Sequence, residues 1–201
     1  MNKIFLPFEK IRNDGIKLAN KIYKEGFIPD VIFVSLRGGS ALGNVMSDYF
    51  NLALGKKKRI KYAAIVPQSY SGMEIVSDVI LDGFTIPPES LKPGSKILLV
   101  DDIFDTGGTI NFLLKFFLEK GIKRSDIKVA VHDYKYFPQK TEQLPFQPDY
   151  WCNKIVVSSP EDNVWIHYLS HELLGLTKDE LEKYYYSNDR ELEEILGPYF
   201  S

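Results

Sequence analysis

The sequence predicts an α/β protein with a parallel sheet flanked by helices. Three observations carry this. Short apolar runs bounded by turn residues, such as Val31-Ile32-Phe33-Val34 and Lys96 to Val100, read as buried strands. Between them, apolar residues recur at helical spacing, as at Ile110, Leu113, Leu114, Phe117 and Leu118. Strand and helix then alternate from residue 31 to residue 132, the pattern of strand–helix–strand units.

In chain order, Phe8 to Glu25 reads as an amphipathic helix, with Phe8, Ile11, Leu18, Ile22 and Tyr23 on one side and Gly26 closing it. Pro29 precedes the strand at Val31. The loop Ser35-Leu36-Arg37-Gly38-Gly39-Ser40 follows, and Ala41, Leu42, Val45, Met46 and Tyr49 mark a second helix. The basic cluster Lys56 to Arg59 reads as a solvated loop. Lys61 to Gln68 and Val76 to Leu81 read as two strands, joined by polar, glycine-containing residues as a hairpin or flap. Pro87, Pro88, Pro93 and Gly94 turn the chain into the strand at Lys96, and Ile127 to His132 forms the next strand. Tyr134-Lys135-Tyr136 lies at a strand end before a proline-rich loop. From Thr177 the chain is charged and aromatic. Thr177-Lys178-Asp179-Glu180 reads as a capping box opening one or two helices.

Composition narrows the function classes. A chain of 201 residues with 44% hydrophobic and 26% charged residues is one soluble domain with room for a core. The net charge of −2 gives no reason to expect a nucleic-acid partner. The single cysteine, Cys152, forbids an intrachain disulfide and fits a cytoplasmic location. Lys3, Glu9, Lys10 and Arg12 interrupt any apolar leader, and no run approaches a membrane span.

The chemistry concentrates in Leu99 to Thr109. Two adjacent acids, Asp101 and Asp102, end the strand. A third, Asp105, precedes Thr106-Gly107-Gly108-Thr109, which opens the helix. Backbone N–H groups and hydroxyls there suit a phosphate, and glycine lets it approach closely. The paired acids suit sugar hydroxyls or a hard cation such as Mg²⁺. Phosphate, diol and a further carboxylate together suggest a ribose 5-phosphate. The aspartic-protease triplet is matched at Asp105-Thr106-Gly107, but that enzyme class is all-β and needs a second facing acid. The phosphoaspartate phosphatase pattern is missed by one residue of spacing.

This stretch resembles the signature of the type I phosphoribosyltransferases; the Arg37 loop and residues 133 to 172 resemble most closely the members acting on xanthine, guanine and hypoxanthine. The resemblance covers roughly residues 8 to 172. It implies that Thr106, Gly107, Gly108 and Thr109 hold the 5-phosphate of phosphoribosyl pyrophosphate. It places Asp101 and Asp102 on the ribose hydroxyls, with Asp102 also on Mg²⁺, and makes Asp105 the acceptor of the purine N7 proton. Leu36-Arg37-Gly38-Gly39 takes the place of the pyrophosphate loop, with Arg37 as the counter-charge and a cis peptide before it. Ser69-Tyr70 matches the pair on the closing flap. Lys135 would donate to the exocyclic oxygen of a 6-oxopurine, Trp165 would stack on its ring, Ile166 would offer backbone groups to its edge, and Glu172 would take the terminal acid position. Leu169-Ser170-His171-Glu172 departs from the expected Pro-Trp-Glu/Asp, which leaves the choice of base open. His167 and His171, four apart, would share a face if helical; His171-Glu172 lacks the second His of a zinc helix.

The implied organisation is a substrate-binding core over 1–133, a base-recognition hood over 134–175 and a helical tail over 176–201. The expected partners are phosphoribosyl pyrophosphate and a purine base, with no nucleic acid or membrane, in a homodimer or higher homo-oligomer. Three rivals stand beside it: transfer to another base such as uracil or orotate, a non-catalytic regulator that keeps the binding domain, and an interaction protein whose aromatic tail takes a partner.

Overall fold

The computed structural model describes residues 2–69 and 79–200. Strand β1 (Lys3–Leu6) leads into helix α1 (Phe8–Lys24), then β2 (Val31–Ser35), α2 (Ser40–Leu54), β3 (Lys61–Ser69), β4 (Val79–Phe84), β5 (Ile97–Phe104), α3 (Gly108–Glu119), β6 (Ile127–Tyr136), the single turn α4 (Pro138–Thr141), β7 (Tyr150–Val156) and β8 (Trp165–Tyr168). Beyond these come α5 (Lys178–Leu181), a wider π-type turn (Glu182–Tyr186) and α6 (Glu191–Leu196). The chain divides into two compact units, Met1–Ser170 and His171–Ser201. Residues 134–170 of the expected hood fall in the first and 171–175 in the second.

In the first unit six strands form one sheet in the order β4-β3-β2-β5-β6-β7. All neighbours are parallel except β3 and β4, whose hairpin adds one antiparallel edge. The strands read as continuous apolar runs because both faces are covered. Ile32, Val34, Leu98 and Val100 point to a core that includes Leu18 and Ile22 of α1 and Met46 and Phe50 of α2. Val31, Phe33, Ile97 and Leu99 point the other way, to Leu113, Leu114 and Phe117 of α3. Alternation within each run thus serves two cores rather than a core and solvent.

Three differences from the sequence reading stand out. β1 was not expected; it pairs in parallel with β8 in a separate two-stranded sheet, Lys3 opposite Trp165 and Leu6 opposite Tyr168. The second arm of the hairpin runs to Phe84, three residues past the expected Leu81; Val76 to Asp78 lie outside the described residues. His167 lies within β8, buried with its ring 5.1 Å from that of Phe5, and His171 begins the second unit. The two histidines therefore share no helical face, because strand pairing with β1 claims His167.

In the second unit Thr177 caps α5 as the box predicts: its hydroxyl accepts the N–H of Glu180, whose carboxylate accepts the N–H of Thr177. Among the described residues no helix is long and apolar enough to cross a membrane.

Candidate active site

The sheet order places the site. From β2 the chain passes to β3 on one side, and β5 then returns to the other side of β2. β2 and β5 are therefore parallel neighbours at a point where the order reverses, and ligands of open α/β sheets bind outside the carboxyl ends of such strands. Residues 36–39 leave β2 there, and 105–107 leave β5.

The first of these loops packs against the end of β5. A methyl group built on Gly38 would overlap the carboxyl group of Asp102. One built on Gly39 would lie 2.6 Å from the Val100 carbonyl oxygen and 2.9 Å from that of Ser35. The double glycine is what lets the Arg37 loop close onto the paired acids. The turn is fastened by the N–H of Gly39, which donates to Ser35 O at 2.9 Å, and by the Ser40 hydroxyl, which donates to Arg37 O at 2.8 Å. The Leu36–Arg37 peptide is cis, as the resemblance implies, and Arg37 is exposed.

The acids differ in setting. Asp101 is buried, and its carboxyl is pushed well above the usual carboxylate range by burial first and by the neighbouring charge of Asp102 second; a hydrogen bond with the Ser35 side chain acts the other way. Asp102 is half-buried, with Oδ1 accepting the N–H of Ile103 at 2.8 Å. Two acids crowded together on hard oxygen donors, one of them driven toward its neutral form, fit a divalent cation that substrate oxygens complete. Among the described residues no group of three or more His, Cys, Asp or Glu side chains could hold a metal unaided.

Past β5 the chain turns through Gly107 at φ 80°, a left-handed conformation that favours glycine. Helix α3 then begins at Gly108, so Thr106 and Gly107 form the approach and Gly108 and Thr109 the first turn. The N–H groups of that turn, with the helix dipole behind them, have the chemistry to receive an anion. Asn111 braces it: its Nδ2 donates to Gly107 O at 2.9 Å and to Phe146 O at 3.0 Å, and its Oδ1 accepts the Phe146 N–H.

Lys135, near the end of β6, is 3% exposed, and its Nζ lies 3.4 Å from Oδ2 of half-exposed Asp105. A buried cation beside an accessible carboxyl group is unusual enough to mark a site. Trp165 on β8 is 50% exposed and Ile166 is buried. The Trp165 N–H donates to Asn2 O, so by alternation along the ladder the N–H and C=O of Ile166 face away from β1. Ser69 ends β3, and Tyr70 lies outside the described residues. Glu172 belongs to the second unit, where its carbonyl accepts the Tyr185 hydroxyl at 3.0 Å.

Sequence reasoning missed Ser35, His132, Asp133 and Tyr168. His132 and Asp133 are buried in the apolar strand β6, side by side, and the Tyr168 hydroxyl reaches both Asp133 and the carbonyl of Asp102. The adjacent polar pair His132-Asp133 inside the run Ile127 to Tyr136 was the available signal.

The fold is an open α/β sheet in which an acid-and-glycine loop and an arginine-glycine loop leave the carboxyl ends of its two central strands. More specifically, the chain belongs to the phosphoribosyl transferase domain family, whose model matches residues 4–168. It is 54% identical over 41 residues to a hypoxanthine/guanine phosphoribosyltransferase of Methanohalophilus mahii; the match spans 20% of this chain and 22% of that protein. The bifunctional protein PyrR of Halalkalibacterium halodurans is 23% identical over 82% of this chain and 89% of its own. Among solved structures, a purine phosphoribosyltransferase of Pyrococcus horikoshii superposes with a TM-score of 0.64 at 25% identity, covering 89% of this chain and 99% of that one. A xanthine-guanine-hypoxanthine phosphoribosyltransferase of Helicobacter pylori superposes at 0.56 and 19% identity, covering 83% and 90%, a likeness of fold.

Proposed function

We propose that this chain transfers the 5-phosphoribosyl group of phosphoribosyl pyrophosphate to a ring nitrogen of a 6-oxopurine and releases pyrophosphate, as in purine salvage. The observation that carries the reading is the Lys135–Asp105 pair beside the acid loop. A 6-oxopurine presents, next to each other, an oxygen that accepts and a ring N7–H that donates. A lysine ammonium only donates, and a carboxylate only accepts. Side by side they match that edge, and Lys135 has nothing to offer the donating amino group of a 6-aminopurine.

In this reading Thr106 to Thr109 hold the 5-phosphate and Arg37 balances the pyrophosphate, with Gly38 and Gly39 letting its loop close. Asp101 and Asp102 hold the ribose hydroxyls. Asp102 would also hold Mg²⁺, which when bound offsets the charge of the departing pyrophosphate. The sugar develops oxocarbenium character as its bond to pyrophosphate lengthens. Asp105 accepts the N7 proton as the base nitrogen forms the new bond. Trp165 stacks on the base and the Ile166 backbone contacts its edge.

A second reading, with a base other than a 6-oxopurine, is favoured by one comparison: an adenine phosphoribosyltransferase of Klebsiella pneumoniae is 31% identical over 53% of this chain and 56% of its own. Steady-state pyrophosphate release with hypoxanthine, guanine, xanthine, adenine and uracil in parallel separates the two. Asp105→Asn should lower kcat by about 10²-fold or more with KM for phosphoribosyl pyrophosphate little changed. Preference for adenine or uracil over every 6-oxopurine would sink the first reading.

A further inference from the structure

The mechanism leaves a buried polar cluster unused. His132 and Asp133 sit side by side in β6, 0% and 2% exposed, and Tyr168 approaches from β8, 2% exposed. The Asp133 carboxyl group gathers three partners. Its Oδ2 lies 2.7 Å from His132 Nδ1 and accepts the Tyr168 hydroxyl at 2.8 Å, and its Oδ1 accepts Asn153 Nδ2 at 3.1 Å. The same hydroxyl lies 3.2 Å from the backbone carbonyl of Asp102, so its single proton is shared, in a three-centre bond, between the Asp133 carboxylate and that carbonyl. On the far side, His132 Nε2 is 3.4 Å from Oδ2 of Asp14 on α1, which Lys10 holds at 2.6 Å.

An apolar core would be the simpler filling here, since burying polar groups is costly unless each is partnered. The cluster also joins elements that the main ladder does not. β5 and β6 are neighbours, with Ile103 opposite Asp133, but β8 belongs to the other sheet. The Tyr168 hydroxyl is a hydrogen-bond link from that small sheet to the backbone of Asp102. The phenol is held in place from behind by a carboxyl group that His132 and Asn153 in turn hold in place.

We propose that Tyr168, oriented by Asp133, is a positioning residue for phosphoribosyl pyrophosphate: it fixes the Asp102 carbonyl, and through it the carboxyl groups that meet the ribose hydroxyls. This rests on the reading of Asp101 to Thr109 as the phosphoribosyl site. Tyr168 touches no substrate atom in this account. Its effect therefore falls on the sugar substrate and leaves the base alone.

The test is Tyr168→Phe, which keeps the ring edge-on to His132 and removes only the hydroxyl. Binding of phosphoribosyl pyrophosphate with Mg²⁺ is measured by calorimetry without base, KM is measured for both substrates, and melting is followed in parallel. The expected result is a rise of about tenfold in Kd and KM for phosphoribosyl pyrophosphate, KM for the base within about twofold, and an unchanged secondary-structure spectrum. Asp133→Asn should act in the same direction, and the double variant should lose less than the product of the two single effects, as for groups acting as a unit. A melting shift with both KM values intact would make the cluster purely structural and overturn the proposal; so would equal losses for sugar and base. If the parent binds phosphoribosyl pyrophosphate but turns over no 6-oxopurine, the base reading falls, and the shift in Kd still decides the role of Tyr168. A parent that binds no phosphoribosyl pyrophosphate overturns both.

Discussion

Gly39→Ala is the sharpest single probe of how the Arg37 loop is seated against the acid-bearing end of β5. Gly39 has φ −64° and ψ −10°, which alanine adopts freely, so the substitution carries no backbone penalty. What it meets is backbone: the Val100 carbonyl oxygen at 2.6 Å, the Ser35 carbonyl oxygen at 2.9 Å and the Asp101 Cα at 3.0 Å. Backbone atoms of two central strands cannot rotate aside as a side chain can. To restore ordinary contacts of about 3.5 Å, the turn must lift away from β2 and β5. Overpacking of this kind costs typically 1–3 kcal/mol, and the upper half of that range applies because the obstructing atoms are ladder backbone. For a chain of this length, about 2–3 kcal/mol corresponds to a fall in Tm of about 5–10 °C. The lifted turn should also carry Gly38 and the rest of the Arg37 loop away from Asp102 and weaken phosphoribosyl pyrophosphate binding by about tenfold or more. Gly83→Ala is the control, because nothing lies within 4 Å of its added methyl group; it should change stability by no more than about 0.5 kcal/mol. Differential scanning calorimetry and titration calorimetry read both effects. If Gly39→Ala melts with the parent and binds the substrate equally well, the close approach of the Arg37 loop to β2 and β5 is not what the double glycine provides.

Further expectations follow from the same geometry. Lys135→Met replaces a buried cation by an apolar chain of similar length, so the protein should stay folded while KM for a 6-oxopurine rises about tenfold or more and KM for phosphoribosyl pyrophosphate stays put; equal change in both would remove Lys135 from base recognition. Burial, helped by Asp14 and Asp133, pushes the Cys152 thiol up to about 12, so thiolate is scarce at pH 8. Alkylation by iodoacetamide at that pH should be about 10²-fold slower in the native protein than in guanidinium, and equal rates would contradict the burial argument. Burial alone would raise the Asp30 carboxyl, but hydrogen bonds from Lys58 and the Lys96 backbone N–H outweigh it and hold it below its ordinary 3.8. Its contribution to stability is then present above that value and lost as pH falls through the lower folded one. Asp30→Asn should therefore destabilise at neutral pH and converge with the parent in acid, as followed by denaturant titration across pH.

Legibility in the sequence tracked how local each feature is. Residues 97 to 109 could be read because the hydrophobic period changes from strand to helix across a run of acids and glycines, all within one strand–loop–helix unit. The meeting of Lys135 and Asp105 is a contact across thirty positions, and only the resemblance singled out both residues. β1 stayed hidden because four residues with one buried position carry almost no period, and its partner lies about 160 positions away. The Tyr168–Asp133 link was equally invisible: a tyrosine at the end of a four-residue strand looks like any half-polar edge until the second sheet brings it to β6. The glycines of the Arg37 loop could be seen as permissive, but the backbone they must avoid belongs to β2 and to β5, sixty positions on.

Product identification is the most direct measurement of the central claim. The protein is incubated with phosphoribosyl pyrophosphate, Mg²⁺ and hypoxanthine, guanine or xanthine, and the quenched mixture is resolved by mass spectrometry. The account predicts the matching purine nucleoside 5′-monophosphate and pyrophosphate in equal amounts, with formation slowed by about 10²-fold or more in Asp105→Asn. Phosphoribosyl pyrophosphate bound tightly but no nucleotide formed from any of the three bases would contradict it.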